Sequence, residues 1–196
     1  MVWLVVVLFV AMTVAVLRGG RLTNLADIRL RWWVLLPLGF VIQWATLLLP
    51  DRSWAPAVGV SMILVSYVLL IALVFANRQR SGMWLAGVGI FLNFTVILVN
   101  GGMPVMREAA VVAGGFGGEI DLSGAFNYKH VVLDQTTRLP FLADVIPVRI
   151  AGQGQVISLG DVFLAVGLGR FLEAELRRPV RWFKPGVKLR GGSATR

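Results

Sequence analysis

Ala57-Val-Gly-Val-Ser-Met-Ile-Leu-Val-Ser-Tyr-Val-Leu-Leu-Ile-Ala-Leu-Val-Phe75 is an apolar run without a single charged residue. It is close to the roughly 20 residues that a helix needs to cross about 30 Å of hydrocarbon. Pro50-Asp-Arg-Ser-Trp-Ala-Pro56 precedes it and Ala76-Asn-Arg-Gln-Arg-Ser-Gly82 follows it; the prolines and glycine interrupt a helix, and the charges favour water. Outward from this run, residues 2–17, 33–49, 83–99 and 156–171 repeat the pattern. The expected fold is therefore all-α: a polytopic integral membrane bundle of about five transmembrane helices. Residues 1–176 would form one transmembrane domain, with interfacial helices in a long outer segment, 100–155, and a basic cytoplasmic tail over 177–196.

Composition points the same way. The 196 residues are 57% hydrophobic and only 15% charged, with a mean hydropathy of +0.78, whereas a soluble domain carries charge on about a quarter of its residues. In the first span Arg18 and Arg21 follow the apolar run; a secretory signal has its basic residues in front. On the five-span reading one side holds Arg18, Arg21, Arg29, Arg31, Arg78, Arg80 and the basic residues from Arg170 onward, while the other holds Arg52, Arg107, Lys129, Arg138 and Arg149. The positive-inside rule then expects a multi-pass protein of the cell membrane with its N-terminus outside and its C-terminus cytoplasmic. The formal charge of +9 is thereby assigned to anionic lipid at the cytoplasmic face of the bilayer, and nucleic acid is not expected as a partner. With no cysteine and one histidine, the chain can form neither a disulfide nor a thiolate zinc site nor a bis-histidine haem. No cofactor is expected.

Candidate chemistry concentrates in and around the outer segment. Acids near hydrocarbon are costly and so are functional candidates. Asp161 stands inside the last apolar run, with Ser158 three residues earlier on the same helical face; it is either a site acid or a hydrated cap of that helix. Asp144 lies in Leu139-Pro-Phe-Leu-Ala-Asp-Val-Ile-Pro147, where a carboxylate needs partners or a raised pKa. Arg138 or Arg149 would serve as a structural partner, and Asp161 would make it half of an acid/base dyad acting on water. Asn93 and Asn100, seven residues apart, share a face of the fourth span and either tie helices together or line a cavity with Gln43. His130 and Asp134 are spaced one helical turn apart, which suits two metal ligands, a base with its orienter, or a surface pair on an interfacial helix; two ligands do not make a zinc site.

Four motifs carry a resemblance over the whole chain: Gly19-Gly-Arg-Leu-Thr-Asn-Leu-Ala-Asp-Ile-Arg29, Asn100-Gly-Gly-Met-Pro-Val105, Leu139 to Pro147, and Ile157-Ser-Leu-Gly-Asp-Val-Phe-Leu164. Together they make the chain resemble an uncharacterised bacterial family of small multi-pass membrane proteins, the domain of unknown function 5317. That resemblance implies the membrane architecture and no reaction. Ser158-Leu-Gly-Asp161 is also similar to the Asn-Val-Ala-Asp element that opens the last span of lipoprotein signal peptidases, which would make Asp144 its partner. The chain departs from those enzymes in lacking the Asn and in having five expected spans instead of four. The leading functional expectation is a non-catalytic membrane module or subunit with an outward-facing polar site built from Asn93, Asn100, His130, Asp134 and Ser158. The alternative is an outward-facing intramembrane hydrolase using Asp144 and Asp161 as a catalytic dyad. A small transporter ranks third.

Overall fold

A computed structural model of the chain describes residues 2–50, 52–114, 129–150 and 152–179. In chain order the elements are α1 (Val2–Leu17), α2 (Leu35–Ala45), α3 (Ala55–Ala76), α4 (Met83–Asn100), β1 (Met103–Val105), α5 (Arg107–Gly114), β2 (His130–Val132), β3 (Ile146–Ile150), β4 (Gln153–Ile157) and α6 (Leu159–Leu176). Short 3-10 turns cover Leu22–Asp27, Thr46–Leu48 and Pro140–Leu142. The glycine-rich run at 115–118 and the basic tail from residue 180 lie outside the described residues.

The long helices pack side by side in the order α2, α3, α4, α6, α1. Gly39 lies against Leu70 and Gln43 bonds Ser66, so α2 runs antiparallel to α3. Gly87 against Val74 and Asn93 against Tyr67 set α4 antiparallel to α3. The α4–α6 contact is the closest: a Cβ placed on Gly89 would lie 2.4 Å from the Gly160 carbonyl oxygen, and one on Gly167 2.3 Å from the Ala86 nitrogen. Small residues thus let the two backbones touch, again antiparallel. α1 returns parallel to α6, with Ala11 beside Gly169 and Arg18 beside Glu173.

This path gives the row two chemically different ends. Where α3 finishes, loop backbones are joined by asparagines. The Asn77 amide accepts from Arg31 N and donates to Arg31 O, both at 2.9 Å, and the Asn24 amide donates to the carbonyls of Leu176 and Arg178. Buried Glu175 receives Arg80 at 3.0 Å and Arg178 at 2.9 Å, while Glu173 receives Arg18 and Arg177. This is the arginine end. At the other end, where α3 begins, the described parts of the segment between α4 and α6 fold over the helices.

The expectation of about five spans is overturned. Among the described residues only α3, with 22 residues and a windowed mean hydropathy of 2.7, and α4, with 18 residues and 1.8, are long and apolar enough to cross a membrane. α1 has 16 residues, about 24 Å at 1.5 Å per residue. The run at 33–49 shortens to an 11-residue α2 because Trp32 takes a left-handed backbone (φ 57°) before it. After it, the Thr46 hydroxyl bonds Gln43 O as the chain tightens into a 3-10 turn. α6 begins at Leu159 instead of 156 and carries Asp161, Arg170, Glu173 and Glu175 along its 18 residues.

The chain is also not all-α, since the described residues between α4 and α6 form two small sheets and one α-helix, α5, in place of interfacial helices alone. β1 and β2 pair in parallel, Met103 opposite His130 and Val105 opposite Val132. β3 and β4 form an antiparallel hairpin from Ile146↔Ile157 to Ile150↔Gln153, turning at Gly152 with φ 80°. The β-branched residues Val131, Val132, Ile146, Val148, Ile150, Val156 and Ile157 favour that extended backbone over a helix. Gly101, left-handed at φ 69°, ends α4 by donating to Ile97 O and turns the chain into β1. Ile63, Tyr67, Ile90, Val96, Ile97, Met103 and Leu142 are buried together beneath this cap.

Candidate functional site

The site is assembled where the cap meets α3, α4 and α6. Ser158 is in extended conformation just before α6, and its Oγ accepts from Asp161 N at 3.0 Å while Asp161 Oδ2 accepts from Ser158 N at 3.3 Å. This reciprocal capping box satisfies backbone donors at the start of α6. The same pair reaches α4: Ser158 Oγ donates to Asn93 Oδ1 at 2.9 Å, and Asn93 Nδ2 donates to Asp161 Oδ1 at 2.7 Å. Asn93 also shares a side-chain hydrogen bond with Tyr67 of α3. Gly160 makes this possible, because a Cβ there would stand 2.0 Å from Asn93 Oδ1.

Above this layer the cap supplies Lys129, His130 and Asp144. β1 is held on one edge by β2 and on the other by Asp144, whose N–H donates to Pro104 O at 2.8 Å and whose carbonyl accepts from Met106 N at 2.9 Å. The two edges thus bring His130 Nε2 to 3.9 Å from Asp144 Oδ2. Lys129, just before β2, shares a side-chain hydrogen bond with Tyr67 and interacts electrostatically with Asp161 and Asp144.

Burial decides the protonation states. Asp144 is 5% exposed, and its Oδ1 has no hydrogen-bond partner among the described residues. Burial first, and then the Asp161 carboxylate, push its pKa up to about 8 against the opposing charge of Lys129. Burial and then Lys129 push His130 down to about 4. Lys129 itself is raised, first by the Tyr67 oxygen and then, against its own burial, by Asp161 and Asp144. Near pH 7 the site therefore holds a protonated lysine beside a neutral acid and a neutral imidazole.

Of the residues singled out in the sequence, Asn93, Ser158 and Asp161 meet directly, and Asp144 and His130 lie over them. Asn100 is elsewhere: its amide donates to Arg138 O at 2.9 Å and accepts from Arg138 N at 2.8 Å, pinning the loop. Asp134 is exposed and closes its own turn through Thr136 and Thr137. His130 and Asp134 share no helix, because 130–132 is a strand. Gln43 bonds Ser66 instead of the carboxylates, and neither Arg138 nor Arg149 forms an ion pair with Asp144 among the described residues. Asp144 follows a 3-10 turn, Pro140–Leu142, and sits in a β-bridge instead of on a helix face. Sequence reasoning missed Tyr67 and Lys129. A hydroxyl inside a long uncharged apolar run was the available signal for Tyr67; Lys129 had none beyond adjoining His130.

A row of mostly apolar helices capped by a small β-containing segment, with a buried acid beside a half-buried lysine and imidazole at the junction, is the class these features define. The chain belongs to the family of unknown function DUF5317, whose pattern it matches over residues 27–172. It is similar to an uncharacterized protein of Thermotoga maritima, 28% identical over 167 residues that cover 83% of this chain and 85% of that protein. No solved structure matches it.

Proposed function

We propose that this chain is a membrane-embedded, non-catalytic module, with the capped end facing out of the cell and the arginine end facing the cytoplasm. The observation that carries the reading is the inversion of ordinary burial. Phe9 of α1, Trp44 of α2, Val65 of α3 and Phe91 of α4 are each more than half exposed, while Ser66, Asn77, Asn93, Ser158 and Glu175 are buried. A protein folded in water avoids so large an apolar surface; one folded in lipid turns its polar groups inward. Trp32, Trp33 and Trp84 are exposed at the arginine end, and Trp44 and Trp54 near the other, as in the aromatic belts of membrane proteins. Glycine-mediated contact between α4 and α6 has the same character. α3 and α4 serve as the spanning helices, and arginine enrichment at one end sets the orientation.

What supports a module over a hydrolase is the state of Asp161. Both of its oxygens already accept bonds that cap α6 and hold α4, and no hydrogen bond joins it to Asp144 among the described residues. The native chain is free of cysteine, so single cysteines report topology cleanly. Gln79→Cys and Thr136→Cys variants, expressed in intact cells and treated with a membrane-impermeant maleimide, should label at 136 alone, and at 79 only after lysis. Labelling of both in intact cells, or release of the chain from membranes by alkaline carbonate, would overturn the reading.

A further inference from the structure

The arginine end contains a polar cavity of about 190 Å³ lined by Arg31, Ala76, Asn77, Arg78, Gln79 and Arg80. We propose that it binds a phosphate anion of the kind a phospholipid headgroup carries. The phosphate chemistry stands on the cavity itself; only the lipid as its source rests on the membrane reading above.

The walls are fixed before any ligand arrives. Asn77 clasps both backbone groups of Arg31 and also donates to Leu73 O, so the loop before α2 is held against the end of α3. Arg80 is braced by Glu175 and by the Arg29 carbonyl. Its charge is thereby offset, and Glu175 is shared further with Arg178. The other two cations are available. The Arg31 guanidinium has no hydrogen bond or ion pair among the described residues. Arg78 lies over the Phe75 ring at 4.3 Å and donates to Phe75 O, with no ion pair among the described residues. Planar guanidinium donors suit the paired oxygens of a phosphate, and the cavity holds the volume of several waters, each about 30 Å³ in the liquid. Trp32 and Trp33 follow Arg31 directly, and Trp84 begins α4 nearby, all exposed. Tryptophans favour the headgroup level of a bilayer, which places the cavity where lipid phosphates lie.

The test uses the full chain in neutral detergent, with thermal unfolding read against added inorganic phosphate, micellar phosphatidylglycerol or micellar phosphatidylcholine. Phosphatidylglycerol should stabilise the parent at lower concentration than phosphatidylcholine. Arg31→Gln or Arg78→Gln should weaken that effect about fivefold each, and Arg52→Gln with Arg138→Gln, at the other end, should not. Unliganded melting of each variant shows that it is folded. Inorganic phosphate protecting as well as the lipid, with the same sensitivity to Arg31 and Arg78, would uphold the site and overturn the lipid as its source. That arm holds whether or not the chain proves to be membrane-embedded. Equal protection by both lipids without any by phosphate, or variants indistinguishable from the parent, would overturn the site.

Discussion

The opposed shifts of Asp144 and His130 make stability depend on pH in a way few other groups here can imitate. Asp144 titrates at about 8 in the folded chain against an ordinary 3.8. Between those values the folded state keeps a proton that the unfolded chain releases, so the stability it contributes falls as pH rises. His130 titrates at about 4 against an ordinary 6.5. In that window the unfolded chain keeps a proton that the folded state lacks, so its contribution is present above 6.5 and is lost as pH falls towards 4. The two slopes cancel between pH 4 and 6.5. From pH 6.5 to 8 Asp144 acts alone, and about 1.4 kcal/mol per pH unit amounts to a loss of ~2 kcal/mol. Asp144→Asn should abolish that decline and uncover the histidine, giving a gain of ~3 kcal/mol from pH 4 to 6.5 and a flat profile above. The assay is reversible denaturant unfolding of detergent-solubilised protein, followed by tryptophan fluorescence at constant ionic strength. A parent profile that stays level or rises between pH 6.5 and 8, or the same decline in Asp144→Asn, would refute the assignment of a buried neutral acid.

Three further outcomes follow from packing. Gly160→Ala and Gly89→Ala should each lower stability by about 1–3 kcal/mol through overpacking, because their new methyls would collide with Asn93 and with the α6 backbone; unchanged melting of both would discount the close α4–α6 contact. Ser158→Ala should lose about 1 kcal/mol from the cap, plus whatever follows from Asn93 Oδ1 losing its serine donor, and a loss no larger than that of an exposed Ser61→Ala would count against the bridge. Glu175→Gln removes the acid shared by Arg80 and Arg178 and should cost about 1–3 kcal/mol, between an exposed and a buried pair because Glu175 is buried while its arginines reach solvent; susceptibility to proteolysis near Gln79 measures the same loosening.

Much of the helical framework was legible because apolar runs and their breakers are local. Ala57–Phe75 and the run at 83–99 are long, uncharged and bounded by proline, glycine or charge, and they became α3 and α4 almost residue for residue. The short runs misled because apolarity alone does not fix helix length. Trp32 leaves the helical region before α2, and the backbone extends up to Ser158 before α6, so those helices begin later than composition implies. The strands were invisible for a related reason: β1 has three residues, and its partner arrives from residue 130, so its pairing is a long-range fact. Asn93, Ser158 and Asp161 could be proposed together since two of them share a helical turn. Asn100 and Asp134 looked equivalent in sequence, yet each found its partners in a nearby loop. Composition cannot tell an amide that pins a backbone from one that lines a site.

Asp144 and Asp161 were paired in sequence reasoning as two acids in apolar surroundings, but the fold gives them unlike tasks. Asp161 completes the start of α6, and through Asn93 it couples that start to α4 and then to Tyr67 and Lys129. Asp144 is held by its backbone against β1 and keeps its carboxyl dry, so its charge is controlled by what surrounds it. An acid and base working on a shared water must exchange a proton within hydrogen-bond reach. Here one partner spends its oxygens on structure, and the other faces a histidine at 3.9 Å. Ionising Asp144 would instead put a charge where Asp161 opposes it and Lys129 favours it. The expected response is a change in how tightly the cap sits on the helices, because the backbone of Asp144 and that of Lys129 are the two edges of β1. A change in the protonation of Asp144 would thus be felt by the cap as a whole, through the strand that its backbone holds.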